Sequence, residues 1–253
     1  MNFRMMKFRA RSNVHPCPQP DVTPVPPPVA RVSNSRALTP NSTEHLGALA
    51  RRGGSDAPAD EFREIRTRLL ALGNKDNFVT LVVPVSSGSG GSYVARNLAA
   101  AFASDAPKTA VLIECNLRHP MQRNALHINA VHGGLLDYLE QPQRGLAHVL
   151  YQTRLPRLQL IPAGEPRQWS MEYFTSARLI TLIDSLRATS ASCYLFLDGP
   201  ALTGSPDASI LSALADIVVL VAGYGRDTAQ GINRAITRLS AEKIAGVVFN
   251  DPR

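Results

Sequence analysis

The chain has 253 residues, of which 44% are hydrophobic and 19% are charged, and its formal net charge is +7. This composition is typical of a globular protein with one large or two small domains. No apolar run reaches the roughly 18 residues of a membrane-spanning helix, and the basic N-terminus lacks the apolar segment of a secretory signal. The cysteines, Cys17, Cys115 and Cys193, have no metal-ligand spacing, so we expect structural thiols in a reducing cytoplasm.

Residues 1–58 are predicted to form a disordered, basic, proline-rich tail. Nine of the 19 prolines lie there, and the stretch PVPPPVA (24–30) is typical of a polyproline helix. The tail carries a net charge of +5, which leaves +2 for residues 59–253. A domain with so small a net charge lacks the strong positive charge that is typical of nucleic-acid-binding domains. The tail itself is either a contact for an acidic membrane face or acidic partner, or a solvated leader without a specific role.

Residues 59–253 are predicted to form one α/β domain, because apolar strands alternate with helices along this part of the chain. In chain order the predicted elements are helix 60–72, strand 77–85, helix 92–104, strand 109–115, helices 134–141 and 145–152, strand 158–164, helix 175–190, strand 193–200, helix 205–216, strand 217–224, helix 228–240 and strand 244–250. Most strands are apolar on both faces, which indicates a mainly parallel sheet with helices on both sides. Ligands of such folds bind at the carboxyl ends of the strands.

The segment VPVSSGSGGSYVARNLAAAFA (83–103) is typical of a buried strand, a glycine-rich turn and a helix. Such a turn directs backbone N–H groups and the positive end of the helix dipole at one point, which suits an anion. The simplest interpretation is a tight turn that binds nothing. A second is a dinucleotide site of the form G-x-G-x-x-G, with Glu114 on the ribose, although Tyr93 stands at the third glycine position.

A third interpretation is a nucleoside triphosphate loop of the form G-x-x-x-x-G-K-[ST]. Ser92 can provide the hydroxyl that holds Mg²⁺, but Gly91 stands where the lysine is expected. The turn therefore has the shape of a phosphate loop without its main cation.

Several further motifs follow in a recognisable order. They are DEFREIRTRLL (60–70), the glycine-rich segment above, VLIECNLRHP (111–120), GLLDYL (134–139), LQLIPAG (158–164), YLFLDGPA (194–201) and VVFN (247–250). This order resembles the cytoplasmic domain of bacterial tyrosine kinases of the capsule and exopolysaccharide type, in the deviant-Walker branch of P-loop ATPases. The resemblance covers roughly residues 60–250 and implies a P-loop NTPase-like fold.

The resemblance also implies site residues, with ATP and Mg²⁺ as cofactors. Asp198 matches the Walker B acid, Glu114 and Asn116 stand at the two acid positions of the second motif, and Asn250 is expected near a nucleotide base. Ser92 and Asp198 would hold Mg²⁺. The phosphate-binding positions are Gly88, Ser89, Gly90, Gly91 and Ser92, and the positions implied in self-association are Asp60, Arg63 and Arg66.

The sequence also departs from the family pattern. The glycine-rich turn is two residues shorter, the lysine is absent, Asn116 replaces an aspartate, and no tyrosine-rich C-terminal segment is present. One cation in phosphoryl transfer is worth about 10³–10⁵ in rate. These changes therefore predict very slow transfer or none, unless Arg96 or Arg118 substitutes for the lysine.

We accordingly expect a degenerate tyrosine-kinase-like domain that regulates or accompanies an inner-membrane chain-length or export protein in polysaccharide production. It would be cytoplasmic, held at the inner membrane through that partner, and would assemble with itself or with an active kinase relative. One alternative is an active ATP-dependent tyrosine kinase or ATPase with an unusual phosphate loop. A second is a nucleotide- or dinucleotide-binding switch protein.

Overall fold

The structure, a computed structural model, describes residues 57–73, 77–167 and 171–251. Its elements in chain order are α1 (Ala57–Leu72), β1 (Val79–Pro84), α2 (Gly91–Ala103), β2 (Thr109–Glu114), α3 (Gln122–Ala125), α4 (Leu135–Glu140), β3 (Tyr151–Gln152), β4 (Leu158–Ile161), α5 (Met171–Phe174), α6 (Ala177–Thr189), β5 (Cys193–Asp198), α7 (Asp207–Leu214), β6 (Ile217–Gly223), α8 (Ala229–Ile236) and β7 (Ile244–Asn250). Of the predicted tail, residues 1–56 lie outside the described part of the chain, and residues 57 and 58 belong to α1.

The strands form one sheet in the order β3-β4-β2-β5-β1-β6-β7. The pairs are parallel except for the β3–β4 pair, which is antiparallel. The predicted fold class, a mainly parallel sheet with helices on both faces, is confirmed. A dinucleotide-binding sheet would place β1 directly beside β2, whereas here β5 lies between them. The strand order therefore argues against the dinucleotide interpretation of the glycine-rich turn.

Both faces of the sheet are covered by apolar side chains, which explains why the strands are hydrophobic throughout. Successive residues of a strand point to opposite faces. Leu81 accordingly packs in the cluster that contains Leu182 of α6, and Val82 packs in the cluster that contains Phe62 of α1 and Leu98 of α2. All five side chains are fully buried. Burial of a side chain of this size contributes about 1.5–3 kcal/mol.

The predicted helix at 145–152 is wrong. The chain there forms a single 3₁₀ turn over Leu146–His148 and then the edge strand β3. Tyr151 pairs with Leu160 of β4, and its hydroxyl donates to the carbonyl of Gly133 at 3.0 Å. Both partners lie outside the predicted helix, and these contacts outweigh the local helical pattern.

The parallel arrangement brings the polar strand exits to one edge of the sheet. Asp198, the last residue of β5, lies in register with Val82 of β1 and with Glu114 of β2. On the other side of β1, Asn250 of β7 lies in register with Gly223 of β6. The glycine-rich turn after β1 is therefore flanked on both sides by polar residues, at the edge where ligands of such folds bind.

Candidate functional site

The glycine turn, residues 86–91, joins β1 to α2. Gly88 and Gly90 have φ angles of 82° and 89°, in the left-handed region that favours glycine. A Cβ atom at Gly90 would lie 1.9 Å from Asn250 Nδ2, and one at Gly88 would lie 2.0 Å from Arg226 Nη1. The two glycines thus make room for side chains of the chain itself.

Gly91, which occupies the expected lysine position, is the first residue of α2. A Cβ atom at Gly91 would lie 2.7 Å from Pro84 Cδ. Since real Cβ atoms do not approach so closely, any side chain at this position would force the β1 end or the turn to move. The absence of a lysine is therefore built into the backbone path of the turn.

A second turn, the Arg226–Asp227 turn (residues 224–228), packs against the glycine turn. The Asp227 carboxylate accepts hydrogen bonds from Ser86 Oγ at 2.5 Å, from Ser89 Oγ at 2.6 Å and from the Gly223 N–H at 2.7 Å. Neither Arg226 nor Asp227 belongs to a motif of the sequence, so neither could be predicted as a site residue.

Arg226 is the cation that lies against the glycine turn. Its Nη1 donates to the carbonyl of Ser87 at 3.0 Å, beside Gly88. The Arg226 side chain comes from the β6–α8 connection and not from α2, so its position cannot be inferred from the spacing within the glycine turn. A guanidinium offers five N–H donors in a rigid fork, which suits it to oxygen acceptors.

The residues that the family pattern assigns to Mg²⁺, Ser92 and Asp198, lie together. Ser92 Oγ donates to Asp198 Oδ1 at 3.1 Å, and Gln122 Nε2 donates to Asp198 Oδ2 at 2.7 Å. The Asp198 side chain is fully buried. Burial raises the pKa of Asp198 to about 7, although the hydrogen bond from Gln122 opposes the shift. Gln122 is a site residue that no sequence pattern indicated.

The two arginines considered as substitutes for the lysine point elsewhere. Arg96 Nη1 donates to Gln122 Oε1 at 2.9 Å, so Arg96 reaches the acid cluster through Gln122. Burial lowers the pKa of Arg96, and the charge of Asp198 is the largest opposing effect. Arg118 Nη2 lies 3.7 Å from Asp207 Oδ2.

Glu114 is engaged in ordering the backbone. Its Oε1 accepts hydrogen bonds from the N–H groups of Met121 and Gln122, the latter at 2.6 Å, and its Oε2 accepts one from the Ala163 N–H at 3.0 Å. Burial raises the pKa of Glu114, and these backbone donors oppose the shift. The carboxylate thereby fixes α3, and with it Gln122, against the exit of β4.

Asn116 and Asn250 occupy different environments. Asn116 Oδ1 accepts a hydrogen bond from the His119 N–H at 3.4 Å, within the turn after β2. Asn250 is buried, and its Nδ2 donates to the carbonyl of Ser89 at 3.1 Å. Among the described residues Asn250 Oδ1 has no hydrogen-bond partner. An unsatisfied buried acceptor costs about 1–3 kcal/mol, so this oxygen is an available point of attachment for a donor.

The residues implied in self-association lie on α1, which packs against α2. Arg63 Nη1 and Asp60 Oδ1 form an exposed ion pair at 2.5 Å. Arg66 instead donates from Nη1 to the carbonyl of Ala101 at 2.9 Å, and so ties α1 to the end of α2.

No group of three or more His, Cys, Asp or Glu residues within the described ranges has the arrangement of a metal site. At the Ser92–Asp198 pair, Mg²⁺ would need near-octahedral oxygen ligands at about 2.0–2.1 Å. The Gln122 amide nitrogen already contacts Asp198 Oδ2 and also donates to the Ser92 carbonyl at 2.8 Å. As they stand, these side chains do not fit the ion, because Gln122 would first have to leave.

Comparison with solved structures defines the class of fold. The kinase domain of the Escherichia coli tyrosine kinase ETK superposes with a TM-score of 0.73 at 22% identity, over 85% of this chain and 82% of that domain. The Pyrococcus horikoshii septum site-determining protein MinD, solved with Mg-ADP, gives a TM-score of 0.52 at 18% identity, over 68% of this chain and 69% of its own. The described domain thus has the fold of P-loop ATPases.

The sequence relatives of this chain include bacterial tyrosine kinases. The putative tyrosine-protein kinase EpsB of Ralstonia solanacearum is 30% identical over 210 residues, and the tyrosine-protein kinase CpsD of Streptococcus agalactiae is 26% identical over 191 residues. In sequence and in fold, this chain is similar to bacterial tyrosine kinases. The matched region is 80% of this chain and 27% of EpsB, and 75% of this chain and 81% of CpsD. No protein-family model matches the chain.

Within the described residues, no helix is both long and apolar enough to cross a membrane.

Proposed function

We propose that this protein is a tyrosine-kinase-like domain of capsule or exopolysaccharide production that acts through contact with partners and not through phosphoryl transfer. The observation that carries the proposal is the Asp227 carboxylate held by Ser86 and Ser89, in a turn that has no lysine. A carboxylate at this position repels a triphosphate and competes for the hydroxyl donors of the turn.

The charges around the turn support the same conclusion. Phosphoryl transfer depends on positioning and charge neutralisation, and one cation contributes about 10³–10⁵ in rate. The two arginines considered as substitutes for the lysine have other partners: Arg96 donates to Gln122, and Arg118 Nη2 lies 3.7 Å from Asp207 Oδ2. The Gln122 amide donates to Asp198 Oδ2 at 2.7 Å, so this carboxylate could hold Mg²⁺ only after Gln122 had moved.

The proposed partner is the cytoplasmic segment of an inner-membrane chain-length or export protein, as the family resemblance implies. The protein would then lie in the cytoplasm and be held at the inner membrane by this contact. Residues 1–56 would serve as a docking arm. The exposed side of α1, with Asp60 and Arg63, would contact a second copy or an active relative.

A second candidate is a domain that still binds ATP with Mg²⁺, as a nucleotide-dependent switch or as an active tyrosine kinase or ATPase. Two observations favour it. Asn250 Oδ1 is a buried acceptor beside the glycine turn that has no partner within the described part of the chain, and Ser92 lies next to Asp198.

Titration of the full-length protein with a fluorescent ATP analogue, with and without Mg²⁺, separates the two candidates. The proposal predicts no Mg²⁺-dependent binding tighter than roughly 100 μM, an affinity of about −5.5 kcal/mol. It also predicts no phosphate transfer from ATP above background, with Streptococcus agalactiae CpsD as the positive control. Turnover that is abolished in Asp198→Asn would replace the proposal by the enzyme candidate.

The partner half of the proposal needs its own measurement. The cytoplasmic segment of a membrane chain-length protein encoded nearby is mixed with the full chain, and the complex is followed by sedimentation velocity. The proposal predicts a complex that forms equally well without nucleotide. Absence of a complex at concentrations of about 100 μM, together with absence of turnover, would remove the proposed role.

A further inference from the structure

We infer that Asp227 is a built-in ligand of the glycine turn: its carboxylate occupies an oxyanion site formed by Ser86 and Ser89 and excludes phosphate-like anions from outside. The inference deepens the proposed function and rests on it, because it gives a physical reason why this turn does not serve phosphoryl transfer. The ligand class of the unblocked site would be a tetrahedral oxyanion such as inorganic phosphate or pyrophosphate.

The contacts of Asp227 are those of a bound anion. Oδ1 accepts from Ser86 Oγ at 2.5 Å, whereas Oδ2 accepts from Ser89 Oγ at 2.6 Å and from the Gly223 N–H at 2.7 Å. Hydroxyl-to-carboxylate hydrogen bonds of about 2.5–2.7 Å are charge-assisted and are roughly twice as strong as neutral ones. The two serines lie 141 and 138 residues from Asp227 in sequence, so the site is assembled by the fold and not by a local turn.

The two serines make a site that is prepared for this occupant. Ser86 Oγ and Ser89 Oγ are 3.0 Å apart, and the Ser89 side chain is fully buried. The Ser89 N–H is held by the Ser86 carbonyl at 3.2 Å, which fixes the spacing of the hydroxyls. Since both hydroxyls donate to Asp227, an incoming oxyanion gains them only after the carboxylate has left.

Arg226 supplies the cation that the glycine turn lacks. Its Nη1 donates to the Ser87 carbonyl at 3.0 Å and lies against Gly88. The guanidinium has further N–H groups beyond this one bond. The short segment of residues 224–228 therefore contributes two charges to the glycine turn. Asp227 is the anion that fills the site, and Arg226 is a positive charge that would favour another anion in its place.

The test is the binding of pyrophosphate to the full-length protein, measured by isothermal titration calorimetry. Asp227→Ala is compared with wild type and with Asp184→Ala, which removes the same charge from an exposed position of α6. Because a binding-competent state that is rarely populated lowers apparent affinity in proportion, we expect Asp227→Ala to bind at least about tenfold more tightly than both references. Arg226→Gln added to Asp227→Ala should abolish the gain.

Asp227→Asn keeps the shape of the side chain and removes its charge, so this variant is titrated instead if Asp227→Ala fails to fold. Circular dichroism establishes folding of each variant before titration. The inference is overturned if the folded Asp227 variants bind pyrophosphate no more tightly than Asp184→Ala. It is also overturned if wild type binds pyrophosphate as tightly as they do.

Failure of this inference and failure of the proposed function give different results. If the Asp227 variants gain no affinity and wild type transfers no phosphate from ATP, the absence of phosphoryl transfer stands, but Asp227 is not its cause. If wild type transfers phosphate and the variants bind pyrophosphate more tightly, Asp227 restrains an active site and the proposed function is lost.

Discussion

The side-chain amide of Gln122 donates to Asp198 Oδ2 at 2.7 Å, and both side chains are fully buried. The same amide nitrogen donates to the Ser92 carbonyl, and its oxygen accepts from Arg96. Gln122 thus links Asp198 and Arg96 to the first turn of α2. A buried polar network of this kind stabilises the fold only while every member keeps its partners.

Gln122→Ala removes one donor from Asp198 and the acceptor of Arg96. Leaving buried groups unsatisfied costs about 1–3 kcal/mol, so we expect the free energy of unfolding to fall by that amount. Urea denaturation measures it, with Gln230→Ala on the exposed side of α8 as the matched control. Equal stability of the two variants would show that the network around Asp198 contributes nothing.

The raised pKa of Asp198 predicts a pH dependence of stability. The ordinary pKa of an aspartate, 3.8, applies to Asp198 in the unfolded chain, whereas its pKa in the folded protein is about 7. Between about pH 4 and pH 7 the folded protein therefore holds a proton that the unfolded chain has lost. Stability due to this group is therefore present at low pH and is lost as pH rises towards 7, by up to about 4 kcal/mol.

Asp198→Asn should remove this dependence. The unfolding free energy of wild type should fall relative to that of Asp198→Asn as pH rises from about 4 to about 7, and the difference should be constant above that range. Urea denaturation across this pH range measures both proteins, and parallel curves would contradict the assigned pKa of Asp198. The raised pKa of Glu114 acts in the same direction, but it is shared by the two proteins.

Gly90→Ala tests the close packing of the glycine turn. Gly90 and Gly204 both have positive φ angles, 89° and 96°, but only Gly90 is crowded, with Asn250 Nδ2 at 1.9 Å from the added Cβ. Left-handed backbone costs a non-glycine residue about 1–2 kcal/mol, which we expect for Gly204→Ala. Gly90→Ala should cost about 1–3 kcal/mol more, because Asn250 must move.

Thermal or urea denaturation of both glycine variants gives this difference directly. Adding Asn250→Ala to Gly90→Ala should recover part of the loss, since the crowding atom is gone. If the two glycine variants are equally stable, Asn250 is not packed on the turn as described.

Substitutions of Arg63 and Arg66 on α1 should distinguish a role in self-association from a role in folding stability. Arg63→Ala breaks an exposed ion pair and should change stability by less than about 1 kcal/mol. Arg66→Ala loses a hydrogen bond to the end of α2 and should cost about 0.5–1.5 kcal/mol. If α1 mediates self-association, Arg63→Ala should weaken it in sedimentation velocity without a change in unfolding. Unchanged association in Arg63→Ala would argue against that role for this face.

Much of the fold could be predicted because the strands are apolar on both faces, and continuous runs such as that of β1 require two covering layers. The edge strand β3 could not be predicted, since its two residues are defined by pairing with β4 and not by local pattern. The sequence predicts that Gly88, Ser89 and Gly90 share one turn, because they are adjacent in the chain.

The partners of that turn could not be predicted in the same way. Asp227 reaches Ser86 across 141 residues, and Gln122 reaches Asp198 across 76. Neither pair leaves a spacing signal in one sequence, because each depends on which strands become neighbours. The sequence shows that Gly91 stands in place of the lysine. It does not show the contact with Pro84 that leaves no room for a side chain at this position.

Asn250 ends β7, which lies at one edge of the sheet, and its amide supports the carbonyl of Ser89 at the other end of the domain's sequence. During synthesis β7 leaves the ribosome long after β1 and α2 have emerged. The hydrogen bond from Asn250 to the Ser89 carbonyl can therefore form only after β7 has been synthesised. A chain that ended before Asn250 would lack this link between the glycine turn and the edge of the sheet.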